Sequence, residues 1–135
     1  MKTITIVADD KVGLLADISY VLAKSKINIE SVNVDVIAGK AIITIGMHDT
    51  ARGKTVVEAA GYTVEDPETI VIKLRDEPGE LSRVTDLLKK EGISINSMKT
   101  LSKDGKFTIL SLLVDKHKKG MLVLGPVLVS NEQAG

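Results

Sequence analysis

Apolar residues alternate with polar ones from Thr3 to Ala8, and this period of two predicts a strand. Past the Asp10–Gly13 segment the period changes. Leu14, Leu15, Ile18, Val21 and Leu22 recur at helical spacing. Two further strands are then predicted, joined at Ala38-Gly39-Lys40. A helix over Thr50 to Ala60 ends at Gly61, and Tyr62 to Glu65 reads as a last strand. The same order then returns. Ile70, Ile72 and Leu74 alternate as a strand, and Leu81, Val84, Leu87 and Leu88 fall at helical spacing. Pro78, within Asp76-Glu77-Pro78-Gly79, reads as the first helical residue, where its missing N–H leaves no partner unpaired. Gly92 reads as the helix stop, and Lys103-Asp104-Gly105-Lys106 is a hairpin turn signal. A short helix over Lys116 to Leu124 and a strand over Val127 to Ser130 complete the pattern. That helix has the poorest local pattern, because Met121-Leu122-Val123-Leu124 has no polar face and Gly120 interrupts it.

The return of the pattern is a repeat. At an ungapped offset of 66 residues, Thr3, Ile4 and Ile6 fall on Thr69, Ile70 and Ile72, and Gly13 falls on Gly79. Asp10 meets Asp76, Leu15 meets Leu81, and Ile27, Ile29 and Ser31 meet Ile93, Ile95 and Ser97. The same offset puts Gly39-Lys40 on Gly105-Lys106, Ile43 on Ile109 and Asp49 on Asp115. The joint lies near Glu65-Asp66-Pro67-Glu68, which divides the chain into residues 1–66 and 67–135, with Asn131 to Gly135 expected to be loosely ordered. Each copy reads βαββαβ. The expected fold class is α+β, two tandem ferredoxin-like units with antiparallel sheets and helices on one face.

Two irregularities sharpen this picture. In the second strand Ile27 and Ile29 are apolar, then the phase shifts to Val32, Val34 and Val36; copy two shifts from Ile93 and Ile95 to Met98 and Thr100. One extra residue produces such a slip, which places β-bulges near Glu30-Ser31 and Asn96-Ser97. An edge strand that changes partner would read the same way. The third strands are apolar on both faces, as in Ala41, Ile43, Ile45 and Met47, or Phe107 to Val114. A split βαβ sheet carries helices on one face only, so the second face predicts another sheet or another subunit. A homodimer is the expected assembly.

Composition narrows the chemistry. The 135 residues carry 18 Lys plus Arg and 18 Asp plus Glu, a formal net charge of +0. That balance lacks the basic footprint of a nucleic-acid binder. There is no cysteine, which removes disulfides, thiolate metal sites and cysteine nucleophiles. Two histidines, His48 and His117, do not coincide in the repeat and predict neither a metal site nor a catalytic base. Aromatics are 2% of the chain, too few for base stacking. Neither GxxxxGK[ST] nor GxGxxG occurs, so phosphate-loop and dinucleotide chemistry lack their tools. The N-terminus lacks a signal-peptide pattern, and Met121 to Val129 is too short to span a bilayer. No cofactor, nucleic acid or membrane partner is expected, and the expected location is cytoplasmic.

Asp10-Lys11-Val12-Gly13-Leu14-Leu15-Ala16-Asp17-Ile18, a helix, and then Ile27-Asn28-Ile29 resemble the signature of the ACT domain. Asp76-Glu77-Pro78-Gly79-Glu80-Leu81, a helix, and then Gly92-Ile93-Ser94-Ile95-Asn96 resemble it more closely still. The resemblance covers nearly the whole chain as two copies. It implies small βαββαβ regulatory modules that pair with one another, bind amino acids or other effectors at their interface, and usually serve enzymes of amino-acid metabolism.

The residues suit such a site. A glycine at the strand-to-helix turn lets backbone N–H groups approach a ligand, and the helix N-terminus favours a carboxylate. Asp10 or Asp76 can accept from an ammonium group, and Asn28 can both donate and accept. The candidate ligand-binding residues are Asp10, Val12, Gly13, Leu14, Leu15, Asn28 and Ile29 in copy one. In copy two they are Asp76, Pro78, Gly79, Glu80, Leu81, Ser94 and Ile95. Plain structural roles compete: the aspartates can cap the helix or turn, and the glycines can serve packing alone. Ser94 in place of Asn28, and Arg75 in place of Asp9, indicate that the two sites are not equivalent, or that one is dead. The Lys116-His117-Lys118-Lys119 run reads as a solvated helix start rather than an anion site.

Serine-protease-like chemistry lacks a base placed by an orienting acid, so no enzyme activity is expected. Two functions remain. One is a small-molecule-binding regulatory protein, sensing an amino acid at the interface between units and modulating a partner enzyme. The alternative is a regulatory or structural subunit without a ligand, which docks on a partner enzyme through its sheet edge.

Overall fold

The computed structural model describes residues 2–129 of the chain, and the expectation for Asn131 to Gly135 lies outside them. The chain divides after Pro67 into two units, each with its own core.

In the first unit, β1 (Thr3–Asp9) leads through a turn into α1 (Leu14–Lys24). A hairpin of β2 (Ser31–Ile37) and β3 (Lys40–Gly46) follows, then α2 (Thr50–Ala59) and β4 (Thr63–Val64). The sheet runs β2-β3-β1-β4, antiparallel throughout. Alternation along β1 sends Ile4 and Ile6 to one face, paired with Ile45 and Ile43 of β3. Leu14, Ile18 and Leu22, spaced four apart on α1, bury against that same core, with Val57 of α2 and Met47. The sheet face and the helix stripe share one apolar cluster, as the two periods require.

The second unit contains β5 (Ile70–Arg75), α3 (Glu80–Lys90), β6 (Ile95–Lys103), β7 (Phe107–Val114) and α4 (His117–Val123), then a 3₁₀ turn at Gly125–Val127. Its sheet runs β5-β7-β6. The strand expected at Val127 to Ser130 is reduced to a single bridge, Leu128 opposite Ile72, with the Val129 N–H donating to the Val71 carbonyl at 3.0 Å. The reason is local. Gly125-Pro126 turns the chain, and the Val127 N–H is committed to the Leu124 carbonyl at 2.9 Å. Ser130 lies outside the described residues. Both units have the ferredoxin-like order, one with its fourth strand nearly lost.

Of three local expectations, one holds and two need correction. The bulge near Asn96 is present, since Ile95 faces Val114 while Ser97 faces Leu113. None lies near Glu30: β2 starts at Ser31 and pairs with β3 without a break, so that phase slip falls in the loop before the strand. Pro78 is not the first residue of α3. It is the second residue of a turn, Glu77 to Glu80, closed by the Glu80 N–H to the Glu77 carbonyl at 3.3 Å. Its fixed φ suits that position, and Gly79 follows at φ 89°.

The repeat offset also changes along the chain. The Asp10 N–H donates to the Gly39 carbonyl, and the Asp76 N–H to that of Lys106. Gly39 therefore corresponds to Lys106, not Gly105. A second bulge between Thr100 and Ser102 supplies the extra residue. From there the offset is 67, which sets Ile43 with Leu110 and Asp49 with Lys116.

Candidate functional site

The turn between β1 and α1 is built on one left-handed residue. Gly13 has φ 84°, a conformation open to glycine and costly for residues with a β-carbon. The Leu14 N–H closes the turn on the Lys11 carbonyl at 3.3 Å, and the Asp17 N–H starts the helix on the Gly13 carbonyl at 2.9 Å. No side chain caps either α1 or α3. The aspartates therefore do not cap these helices. Leu15 and Ala16, in the first turn of α1, have backbone N–H groups with no carbonyl acceptor within the helix.

Beside this turn lies a groove of about 450 Å³, within the ~300–1,000 Å³ typical of small-molecule sites. Asp10, Lys11, Gly13 and the start of α1 through Ala16 form one wall; Val34 of β2 with Ala41 and Ile43 of β3 form the other. The sheet register places those three together, because Val34 pairs with Ile43. Leu14, Ala41 and Ile43 are buried, whereas Asp10, Lys11 and Val34 are exposed. Charges thus stand at the rim over an apolar floor. Next to them, Lys40 Nζ donates to Asp9 Oδ1 at 2.6 Å across the β1–β3 pair. That hydrogen bond, and then the lysine charge, hold the Asp9 carboxyl below its ordinary value.

Of the candidate residues in the first unit, Asp10, Gly13, Leu14 and Leu15 line the groove. Val12 is fully exposed at the tip of the turn, Asn28 is exposed, and Ile29 packs on the core; none of the three lines the groove. Lys11, Ala16, Val34, Ala41 and Ile43 line it without having been anticipated. Val34 carried a signal: it belongs to an apolar alternation on what is an edge strand, where one face has no neighbour to bury it.

In the second unit the equivalent turn is polar. Asp76 is paired with Lys103 at 3.2 Å, and Glu80 with Arg83 at 3.3 Å. Pro78 and Gly79 are exposed in the turn, and Leu81 is exposed on α3. The Ser94 N–H donates to the Asp115 carboxylate at 2.9 Å, and Ile95 is engaged in the ladder with Val114. By the observed register, Glu77, Glu80, Thr100 and Thr108 stand where the first unit has Lys11, Leu14, Val34 and Ala41. The lysine run is the solvated start of α4, with Lys116, Lys118 and Lys119 exposed. Lys116 and Lys119 donate to the carbonyls of Gly92 and Glu91, both at 2.7 Å, at the end of α3, and His117 lies 3.1 Å from Glu68. Among the described residues no group of three or more His, Asp or Glu side chains is placed to hold a metal ion. No helix among them is long and apolar enough to cross a membrane.

Comparison with known families finds a match: residues 2–58 match the family model of the ACT domain. The first unit is similar to an ACT domain over those residues. The groove lies at the glycine turn of this ACT-like unit, and the second unit repeats its βαββ order. Solved structures of similar fold include a protein of Bacteroides thetaiotaomicron, 21% identical, with 94% of this chain and 90% of that one covered and a TM-score of 0.47. The regulatory subunit of aspartate kinase from Thermus thermophilus is 10% identical, with coverage of 92% and 90% and a TM-score of 0.44. The small subunit of acetolactate synthase from Thermotoga maritima is 14% identical, with coverage of 95% and 89% and a TM-score of 0.34. No curated protein sequence matches the chain.

Proposed function

We propose that this chain is a regulatory protein, not an enzyme, that binds an amino acid in the groove of its ACT-like first unit and modulates an enzyme of amino-acid metabolism. The observation that carries this reading is the groove itself. It offers an acid, a base and the N–H groups of the first turn of α1 at one end of an apolar trough. A zwitterion matches that arrangement: its carboxylate meets the helix N-terminus and Lys11, and its ammonium meets Asp10. We assign the site to the first unit, since at the second turn Asp76 is engaged by Lys103 and two glutamates repel a carboxylate. A thermal-shift screen of the twenty amino acids tests this reading. A ligand at 100 times its dissociation constant adds about 2.7 kcal/mol of stability, and a screen in which none raises the melting temperature removes it.

The chain also functions, on this reading, as a homodimer. The edge strand β2 argues for a partner, because Val32, Val34 and Val36 are 47%, 42% and 52% exposed. Exposed apolar edges invite pairing. Val34 belongs both to this stripe and to the groove wall, so a second copy along β2 would cover the ligand. The same edge supports the second reading, a subunit that docks on a partner enzyme through β2 without any effector.

A further inference from the structure

We infer that the groove selects an amino acid with an apolar side chain over one with a charged or amide side chain; the inference rests on the amino-acid-binding reading above. Its floor is built from Leu14, Ala41 and Ile43, which are 4%, 1% and 1% exposed, and its flanks from Leu15 and Val34. The only ionisable lining groups are Asp10 and Lys11, both on the turn. These two and the helix N–H groups answer the ammonium and carboxylate that every amino acid shares. Nothing in the lining is left to answer a charged or amide side chain, which would lose its water over buried carbon without gaining a partner. An apolar side chain gains by leaving water there. The second unit supplies a contrast within the same fold, since its equivalent positions carry Glu80, Thr100 and Thr108.

Calorimetric titration of the full chain with leucine, valine, phenylalanine, lysine, aspartate and asparagine tests the selection. Leucine, valine or phenylalanine should bind at least tenfold more tightly than the other three. Val34→Thr, an isosteric change at an exposed position, should weaken the apolar ligand roughly tenfold without altering the melting temperature of the free protein. Lysine, aspartate or asparagine binding most tightly, with Asp10→Asn weakening it, overturns the selection and leaves the amino-acid site standing. Equal affinity for the best apolar ligand in Val34→Thr overturns it as well. Binding by none of the twenty amino acids removes both the selection and the site.

Discussion

A β-carbon on Gly120 would stand 2.9 Å from Cγ2 of Val114 and 3.3 Å from Cδ1 of Ile70. Gly53 of α2 holds the same relation to Met47, the residue that follows β3, with its β-carbon position overlapping the thioether sulfur. Each helix crosses its sheet at a glycine because the backbone comes too near for a side chain. On propensity alone Gly120→Ala should stabilise α4 by about 1 kcal/mol. Overpacking against a stiff, β-branched neighbour costs about 1–3 kcal/mol. Urea unfolding should therefore show a net loss of about 1 kcal/mol. In a Val114→Ala background the same change should become stabilising, and a gain in the native background would contradict the close approach.

The glycine crossing shows what the sequence could and could not disclose. Gly120 reads locally as a helix breaker and Met121 to Leu124 as a segment without a polar face, yet α4 forms, because tertiary contact outweighs propensity. Long periodic stretches such as β1 and α1 were legible, since one face of each is buried and its period shows. The change of offset was not. Ile109 and Leu110 are adjacent apolar residues of β7, so sliding that strand by one residue still sets Ile43 on an isoleucine or a leucine. Only the hydrogen-bonded ladder shows which alignment is real. Half of the groove was legible in the glycine turn. Its other half, Val34, Ala41 and Ile43, reads as ordinary core from any one strand and becomes a wall only when β2 and β3 are paired.

Lys26 ends α1 in the left-handed region at φ 60°, donating its N–H to the Ala23 carbonyl while the Ile27 N–H reaches that of Leu22. Gly92 ends α3 in the same way at φ 71°. A residue with a β-carbon is strained there. Lys26→Gly should gain about 0.5–1 kcal/mol, and Gly92→Ala should lose about 1 kcal/mol. Denaturant midpoints for the two variants read both signs.

Arg52 donates to the Ser25 carbonyl at the end of α1, as Lys119 does to Glu91 at the end of α3. Each cation meets the negative end of a helix. Arg52→Met and Lys119→Met should each cost about 0.3–1 kcal/mol, less at high salt. A salt-independent loss would point to packing instead of charge.

The Asp104 carboxylate accepts the backbone N–H groups of Phe107 at 2.8 Å and Lys106 at 2.9 Å. These bonds hold its carboxyl below the ordinary value of 3.8. A depressed folded value means that the unfolded chain takes up the proton first as pH falls. The carboxylate's contribution is fully present above the ordinary value and is lost as pH falls through the depressed one. Asp104→Asn should therefore lower the melting temperature near neutral pH, with the difference from the native protein narrowing as pH falls below the ordinary carboxylate value. A constant difference across that range would refute the assignment.

Asp10 and Asp76 occupy the same place in the two turns and differ in what surrounds them. Asp10 is exposed at the groove rim, whereas Asp76 is tied to Lys103 at 3.2 Å beside Glu77. If Asp10 receives the ligand's ammonium, Asp10→Asn removes a charge-assisted hydrogen bond and should weaken binding by about 1.5–3 kcal/mol, roughly 10- to 150-fold. Folding should be unaffected, because Asp10 caps no helix. Asp76→Asn should leave affinity unchanged and cost at most about 1 kcal/mol of stability, as expected for a partly exposed ion pair. Gly13→Val should abolish binding but also strain the turn at φ 84°, so its melting temperature must be measured alongside. Calorimetric titration of the native chain should give one ligand per chain. Two ligands per chain, with equal losses in Asp10→Asn and Asp76→Asn, would show that the paired carboxylate and the glutamates of the second turn do not exclude the effector.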